Sequence, residues 1–256
     1  MEKPARFLEE ERLIFEASDF IFKVPSVVAR ARRVLIKPSA SYPLPYPVTT
    51  SADMLAAIIA SIRRVSDADI LLLEGTAGGM PTRPIYQALG YNFPRVLTLD
   101  VKDCIFVEVD NPLPKPFAMP TFWVPNVILS SDYLITVAPL KTYNGSGSFA
   151  IKNLLSLLPS SKYQGESSGG WENLYSLGID KVLADLYFTL PFDLGIVEGK
   201  QKFAVKQDPN DGEVEEYDKV FVGEPYEVDR EVSDALGLKV GYLDLIRTAK
   251  VELGTL

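Results

Sequence analysis

Asp69-Ile70-Leu71-Leu72-Leu73-Glu74-Gly75-Thr76-Ala77-Gly78-Gly79 decides the fold. An apolar run at Asp69–Leu73, closed by a charge and a glycine-rich turn, has the pattern of a strand buried on both faces. Upstream, Thr50 or Ser51 can cap a helix whose apolar positions Met54, Leu55, Ile58, Ile59 and Ile62 keep a helical period. Before that helix, Val34-Leu35-Ile36 is another buried-strand run, ending at Lys37-Pro38. Downstream, a short helix from Thr82 leads to a strand at Arg95–Leu99 that ends on Asp100. Strand, helix, strand, helix, strand predicts a parallel sheet with right-handed crossovers.

The rest of the chain extends this frame. Residues 5–17 read as an amphipathic helix, Asp19–Val24 as a strand and Ser26–Arg33 as a helix. Prolines 43, 45 and 47 make residues 39–47 a stiff loop. Strands are predicted at Cys104–Val109, Phe117–Val124, Val127–Leu129 and Tyr133–Val137, with no helix between them, which implies antiparallel additions at one sheet edge. A helix at Ala150–Leu158 precedes a polar loop at Ser160–Asn173, read as mobile or lid-like. Helices at 174–189, Asp229–Leu236 and Tyr242–Lys250 and strands at Leu194–Val197 and Val220–Val222 complete the pattern, with a hairpin turn at Asp208–Glu213. The expected fold is one α/β domain over residues 1–256: a mostly parallel, doubly wound, Rossmann-like sheet with antiparallel additions at one edge.

Composition narrows the chemistry. The chain has no histidine and one cysteine, Cys104. Triads and metal sites that need imidazole are excluded, and so are an iron–sulfur cluster or haem held by this chain alone. What remains is lysine, carboxylate, tyrosine and hydroxyl chemistry, or a hard cation such as magnesium held by oxygens. A net charge of -8 opposes a general attraction to nucleic acid or anionic membranes. No apolar run approaches the about 18 residues of a spanning helix, and the charged first residues do not resemble a signal peptide. A cytoplasmic protein is expected, with self-association left open.

Several predicted strands end on Lys37, Glu74, Asp100, Lys141 or Glu198. Carboxyl ends of parallel strands face one crevice, where ligands bind, although solvated loops also collect polar residues. Lys141-Thr142-Tyr143-Asn144-Gly145-Ser146-Gly147-Ser148 opens onto a helix carrying Lys152 and Asn153. Small residues with free backbone N–H groups at a helix entry can cradle phosphate or carboxylate, and a solvated turn would look the same. It is neither a Walker A loop nor Gly-x-Gly-x-x-Gly. The expected ligand is therefore an anionic small molecule. Its binding set is Lys37, Ser39, Lys141, Asn144, Gly145, Ser146, Gly147, Ser148, Lys152 and Asn153. Glu74, Tyr143 and Glu198 are the acid/base candidates, and Asp229 or Glu198 the candidate magnesium ligands. The turn at Glu74–Gly79 could bring backbone close to a ligand but reads first as a tight bend, Cys104 reads as core, and Trp171 as either a ligand cover or a packed aromatic.

Val34-Leu35-Ile36-Lys37-Pro38, Leu140-Lys141-Thr142, Ala150-Ile151-Lys152-Asn153, Gly195-Ile196-Val197-Glu198-Gly199 and Phe221–Asp229 with Ala235-Leu236-Gly237 occur in this order. Over about residues 34–254 the chain resembles the bacterial and archaeal domain of unknown function numbered 362. The resemblance implies the α/β fold and matches Lys37, Lys141, Lys152, Asn153 and Asp229. It departs from the family pattern at Ser39, where asparagine is usual, at Tyr143, where histidine is usual, and at Glu198, where aspartate is usual. Some relatives carry ferredoxin-like cysteine motifs that this chain lacks. The resemblance leaves open a non-catalytic binding or assembly protein, or a partner of iron–sulfur electron-transfer proteins.

Overall fold

The computed structural model describes residues 13–143, 146–165, 170–206, 208 and 211–255. In chain order the elements are β1 (Ile14–Glu16), β2 (Arg33–Pro38), α1 (Ala52–Val65), β3 (Asp69–Glu74), α2 (Thr82–Ala88), β4 (Val96–Asp100), β5 (Phe106–Asp110), β6 (Thr121–Pro125), α3 (Asn126–Leu129), β7 (Tyr133–Tyr143), β8 (Ser146–Ser148), α4 (Ala150–Asn153), α5 (Ser160–Tyr163), α6 (Glu172–Ser176), α7 (Ile179–Thr189), β9 (Leu194–Val205), β10 (Gly212–Gly223), α8 (Pro225–Leu236) and α9 (Gly241–Glu252).

The main sheet has the order β1-β10-β9-β7-β2-β3-β4, with β8 paired to the end of β7. β9, β7, β2, β3 and β4 are parallel, and β10 and β1 add antiparallel at one edge. The α/β class and the one-edged antiparallel extension are as the sequence predicts, but different residues supply that extension. Tyr133–Tyr143 is a central parallel strand, and β5 pairs with β6 in a separate two-stranded sheet. Val127–Leu129, expected as a strand, lies in the short helix α3, because three apolar residues alone do not distinguish the two states.

The amino-terminal expectation also changes. Of the predicted helix at 5–17, residues 5–12 lie outside the described residues, and Ile14–Glu16 is a strand held by β10. Residues 19–24 form no strand, and Ser26–Arg30 is a 3₁₀ turn rather than the longer helix predicted through Arg33. The helix expected through Leu158 is a short α4 followed by a 3₁₀ turn at Leu154–Leu157.

Alternation along each central strand fills two cores. Val34, Ile36, Ile70, Leu72, Ile135 and Val137 pack beneath α1 and α2, while Leu35, Leu71, Leu73, Leu134 and Val197 face α4, α7, α8 and the small sheet. Each fully buried Leu or Ile contributes roughly 1.5–3 kcal/mol, which fixes the strand register that aligns the carboxyl ends. Among the described residues, no helix is long and apolar enough to cross a membrane.

Candidate functional site

The carboxyl ends of β2 and β3 carry opposite charges. Lys37 and Glu74 have no exposed surface. The Lys37 ammonium donates to Glu74 Oε1 (2.8 Å), Glu74 Oε2 (2.9 Å), Pro38 O (2.7 Å) and Asn153 Oδ1 (3.0 Å). Burial pulls its pKa below the usual lysine range, and Glu74 opposes that shift. Glu74 also accepts from Ala40 N (2.6 Å), Gly75 N (2.9 Å) and Ser156 Oγ (2.5 Å). Asn153 Nδ2 donates to Thr136 Oγ1, Lys37 O and Val137 O. This closed network ties the loops after β2 and β3 to α4, and its members satisfy one another.

Above it lies a cavity of about 380 Å³. Ser39, Ser41 and Tyr42 enter from the proline-stiffened loop after β2, and Thr76, Ala77, Gly78 and Met80 from the turn after β3. The prolonged β7 supplies Lys141, Thr142 and Tyr143, and Ser148, Lys152, Asn153, Leu155 and Ser156 follow from β8 and α4 onward. Trp171, Tyr175 and Val205 complete the wall. Trp171 Nε1 donates to Leu158 O (2.9 Å), and a side chain on Gly170 would collide with the Ala77 backbone, so this segment sits directly on the glycine-rich turn.

Two amines face this space. Lys141 Nζ donates to Val48 O (2.9 Å). Burial pulls its pKa down to about 8; Glu74 opposes the shift, and Lys37 and Lys152 reinforce it. Burial likewise lowers the pKa of Lys152, opposed by Asp180. Among the described residues neither amine forms an ion pair, and Lys152 has no hydrogen-bond partner. The hydroxyls of Ser39, Ser148 and Tyr143 also lack partners among the described residues.

The expected open cradle differs from what is built. Asn144 and Gly145 lie outside the described residues. Ser146, Gly147 and Ser148 form β8, paired with Tyr143, Thr142 and Lys141, so their backbone belongs to a hairpin. Gly147 is required by the Phe149 ring, which a Cβ would meet at 2.2 Å. The α4 entry is already capped: Asp229 accepts from Ala150 N (2.8 Å), Ile151 N (2.9 Å) and Tyr242 Oη (2.8 Å). Burial pushes the Asp229 carboxyl up to about 7.

The other acids are spent in the same way. Glu198, whose pKa burial raises, accepts from Ser51 N (3.0 Å) and Ser51 Oγ (2.5 Å) at the start of α1. Asp100 accepts from Thr82 N (2.8 Å), and Asp185 from the amides of Phe117, Ala118 and Met119. Each compensates backbone donors at a helix start or loop. Glu74, Glu198 and Asp229 do not line the cavity, and among the described residues no group of three metal-ligating side chains occurs. Cys104 is half-buried beside Asp100, with its thiol pushed up to about 11, chiefly by burial.

Of the sequence candidates, the cavity gathers Ser39, Lys141, Tyr143, Ser148, Lys152 and Asn153, with Lys37 directly behind them. Sequence reasoning missed Ser41, Tyr42, Thr76, Met80 and Tyr175. The glycine-rich turn after β3 is the signal for Thr76–Gly78, and a tight bend is the reading its sequence favours over a ligand contact.

A family model described as Domain of unknown function (DUF362) matches residues 34–233. The match ends before Ala235-Leu236-Gly237. Comparison with curated proteins finds no match. Among solved structures, the lactate racemase apoprotein from Thermoanaerobacterium thermosaccharolyticum is similar, with a TM-score of 0.53 and 12% sequence identity. The likeness covers 86% of this chain and 53% of that one, so the chain spans about half the length of that protein. At this identity it shows a shared fold.

Proposed function

This chain belongs to the DUF362 family, and we propose that its cavity binds a small molecule bearing a carboxylate or phosphate, with Lys141 and Lys152 as the anion's partners. One observation carries the reading. Two lysines from different elements enter one pocket, and neither has a carboxylate partner among the described residues. A half-buried ammonium without a counter-charge is costly, and an anion between the two would offset that cost. Ser39 and Ser148 add hydroxyl donors, while Trp171, Tyr175, Leu155 and Met80 offer an apolar wall for the rest of the ligand.

The chemistry rests with Lys141 and Tyr143. An amine titrating at about 8 is partly unprotonated near neutral pH and can take a proton from a bound ligand, with the Tyr143 hydroxyl as a donor. Lys37, Glu74 and Asn153 act by holding the loops in place. The lactate racemase likeness supports the fold and assigns no substrate.

Thermal melts against a panel of carboxylated and phosphorylated metabolites, with and without magnesium, test the reading. A ligand at 100 times its Kd adds about 2.7 kcal/mol, a rise of roughly 5–10 °C for a chain of this size. Lys141→Ala and Lys152→Ala are expected to abolish the rise. Stabilisation that persists in both variants removes the cavity as the site.

A further inference from the structure

Lys141 differs from the two lysines near it. Lys37 is enclosed by four acceptors and has no exposed surface. Lys152 lies one turn into the segment after β8. Lys141 projects from β7 into the cavity, held on one side by Val48 O at 2.9 Å. A neutral amine keeps that hydrogen bond, because it needs one N–H and leaves the nitrogen lone pair available. Tyr143, two residues along the same strand, lines the same space.

We propose that Lys141 is an imine-forming lysine, condensing with the carbonyl of a small anionic oxo compound, a 2-oxo acid or a phosphorylated aldehyde, whose charged group pairs with Lys152. The inference rests on the anion-binding reading above and adds the carbonyl. The Nζ lone pair attacks the carbonyl carbon, forming the C–N bond while the carbonyl π pair moves to oxygen. The resulting carbinolamine then breaks its C–O bond. Oxygen departs as water, with one proton taken from nitrogen and the other lent by the Tyr143 hydroxyl or by solvent, and the remaining N–H proton of the iminium then returns to that donor. Amine plus carbonyl gives imine plus water, with no oxidant or reductant.

Burial beside two other cations raises the share of free amine at neutral pH far above that of an exposed lysine, the usual way a lysine becomes a nucleophile. The about 380 Å³ of space accommodates a compound of this class.

The test treats the full chain with equimolar glyoxylate or pyridoxal phosphate, reduces with borohydride, and maps adducts by mass spectrometry. One adduct is expected, on Lys141, forming roughly a hundredfold faster at pH 7 than on exposed lysines because far more of the amine is unprotonated. Its rate should rise with a midpoint near pH 8. Lys141→Arg, which keeps the charge, should lose the adduct while melting near the parent temperature. Lys152→Met should slow labelling by glyoxylate more than labelling by uncharged propanal. Adducts spread over exposed lysines with no preference for Lys141 would overturn the proposal.

The two readings fail differently. If acetate or phosphate stabilises the chain through Lys141 and Lys152 but no adduct forms, the imine falls and anion binding stands. If propanal labels Lys141 as fast as glyoxylate does and no anion stabilises the chain, the reactive amine stands and the role of Lys152 falls with the anion reading.

Discussion

Replacing Lys37 with methionine deletes the ammonium and leaves Glu74 in a site with no exposed surface. The carboxylate would keep Ala40 N, Gly75 N and Ser156 Oγ but lose its counter-charge at 2.8 Å. Removing one member of a buried pair costs about 3–5 kcal/mol, mainly because the remaining charge stays desolvated. For a chain of this length each kcal/mol is worth about 2–4 °C, so melting should fall by roughly 6–20 °C. Urea unfolding, with midpoints compared at constant m-value, gives the free energy. Lys37→Met combined with Glu74→Gln removes both charges and should recover part of the loss, with a coupling of up to about 3 kcal/mol. A loss below about 1 kcal/mol for Lys37→Met, the behaviour of an exposed pair, would refute the claim that this lysine fastens the site.

The Asp229 carboxyl is raised to about 7 in the folded chain, against 3.8 for the free group, so the native state binds more protons between those values. Its contribution to stability is therefore greatest at low pH and declines as pH rises through that window, by up to about 4 kcal/mol. Asp229→Asn should flatten this part of the pH–stability curve, and identical slopes for parent and variant would contradict the assignment. A methyl on Gly75 would lie 2.5 Å from Ser156 O, whereas Gly78 has nothing within 4 Å. Gly75→Ala should lose about 1–3 kcal/mol and weaken ligand-induced stabilisation, and Gly78→Ala should melt like the parent.

The sheet's central frame was legible because β2 and β3 are unbroken apolar runs closed by Lys37 and Glu74, and the helical period of α1, capped by Ser51, lies between them. Residues 104–129 were harder to read, since their short, interrupted runs do not say which sheet they join, and β5 and β6 form their own. In the site, Lys141 and Lys152 declared themselves by flanking a small-residue turn before a helix. The partners of Lys37 did not, because 37 residues separate it from Glu74 and 116 from Asn153. Opposite charges at the carboxyl ends of two successive predicted parallel strands were the available clue. The acids misled for a general reason: a carboxylate that caps backbone amides and one that meets a substrate look identical in sequence.

If an anion settles between Lys141 and Lys152, it must raise the pKa of Lys141 from about 8, and binding near that pH must draw protons from the buffer. Titration calorimetry of the best stabilising ligand at pH 8, in two buffers of different ionisation enthalpy, counts those protons. Net uptake at pH 8 that fades at pH 6 and vanishes in Lys141→Met is the expected result. Binding with no proton uptake at either pH, or uptake unchanged in the variant, would contradict an anion site built on this amine.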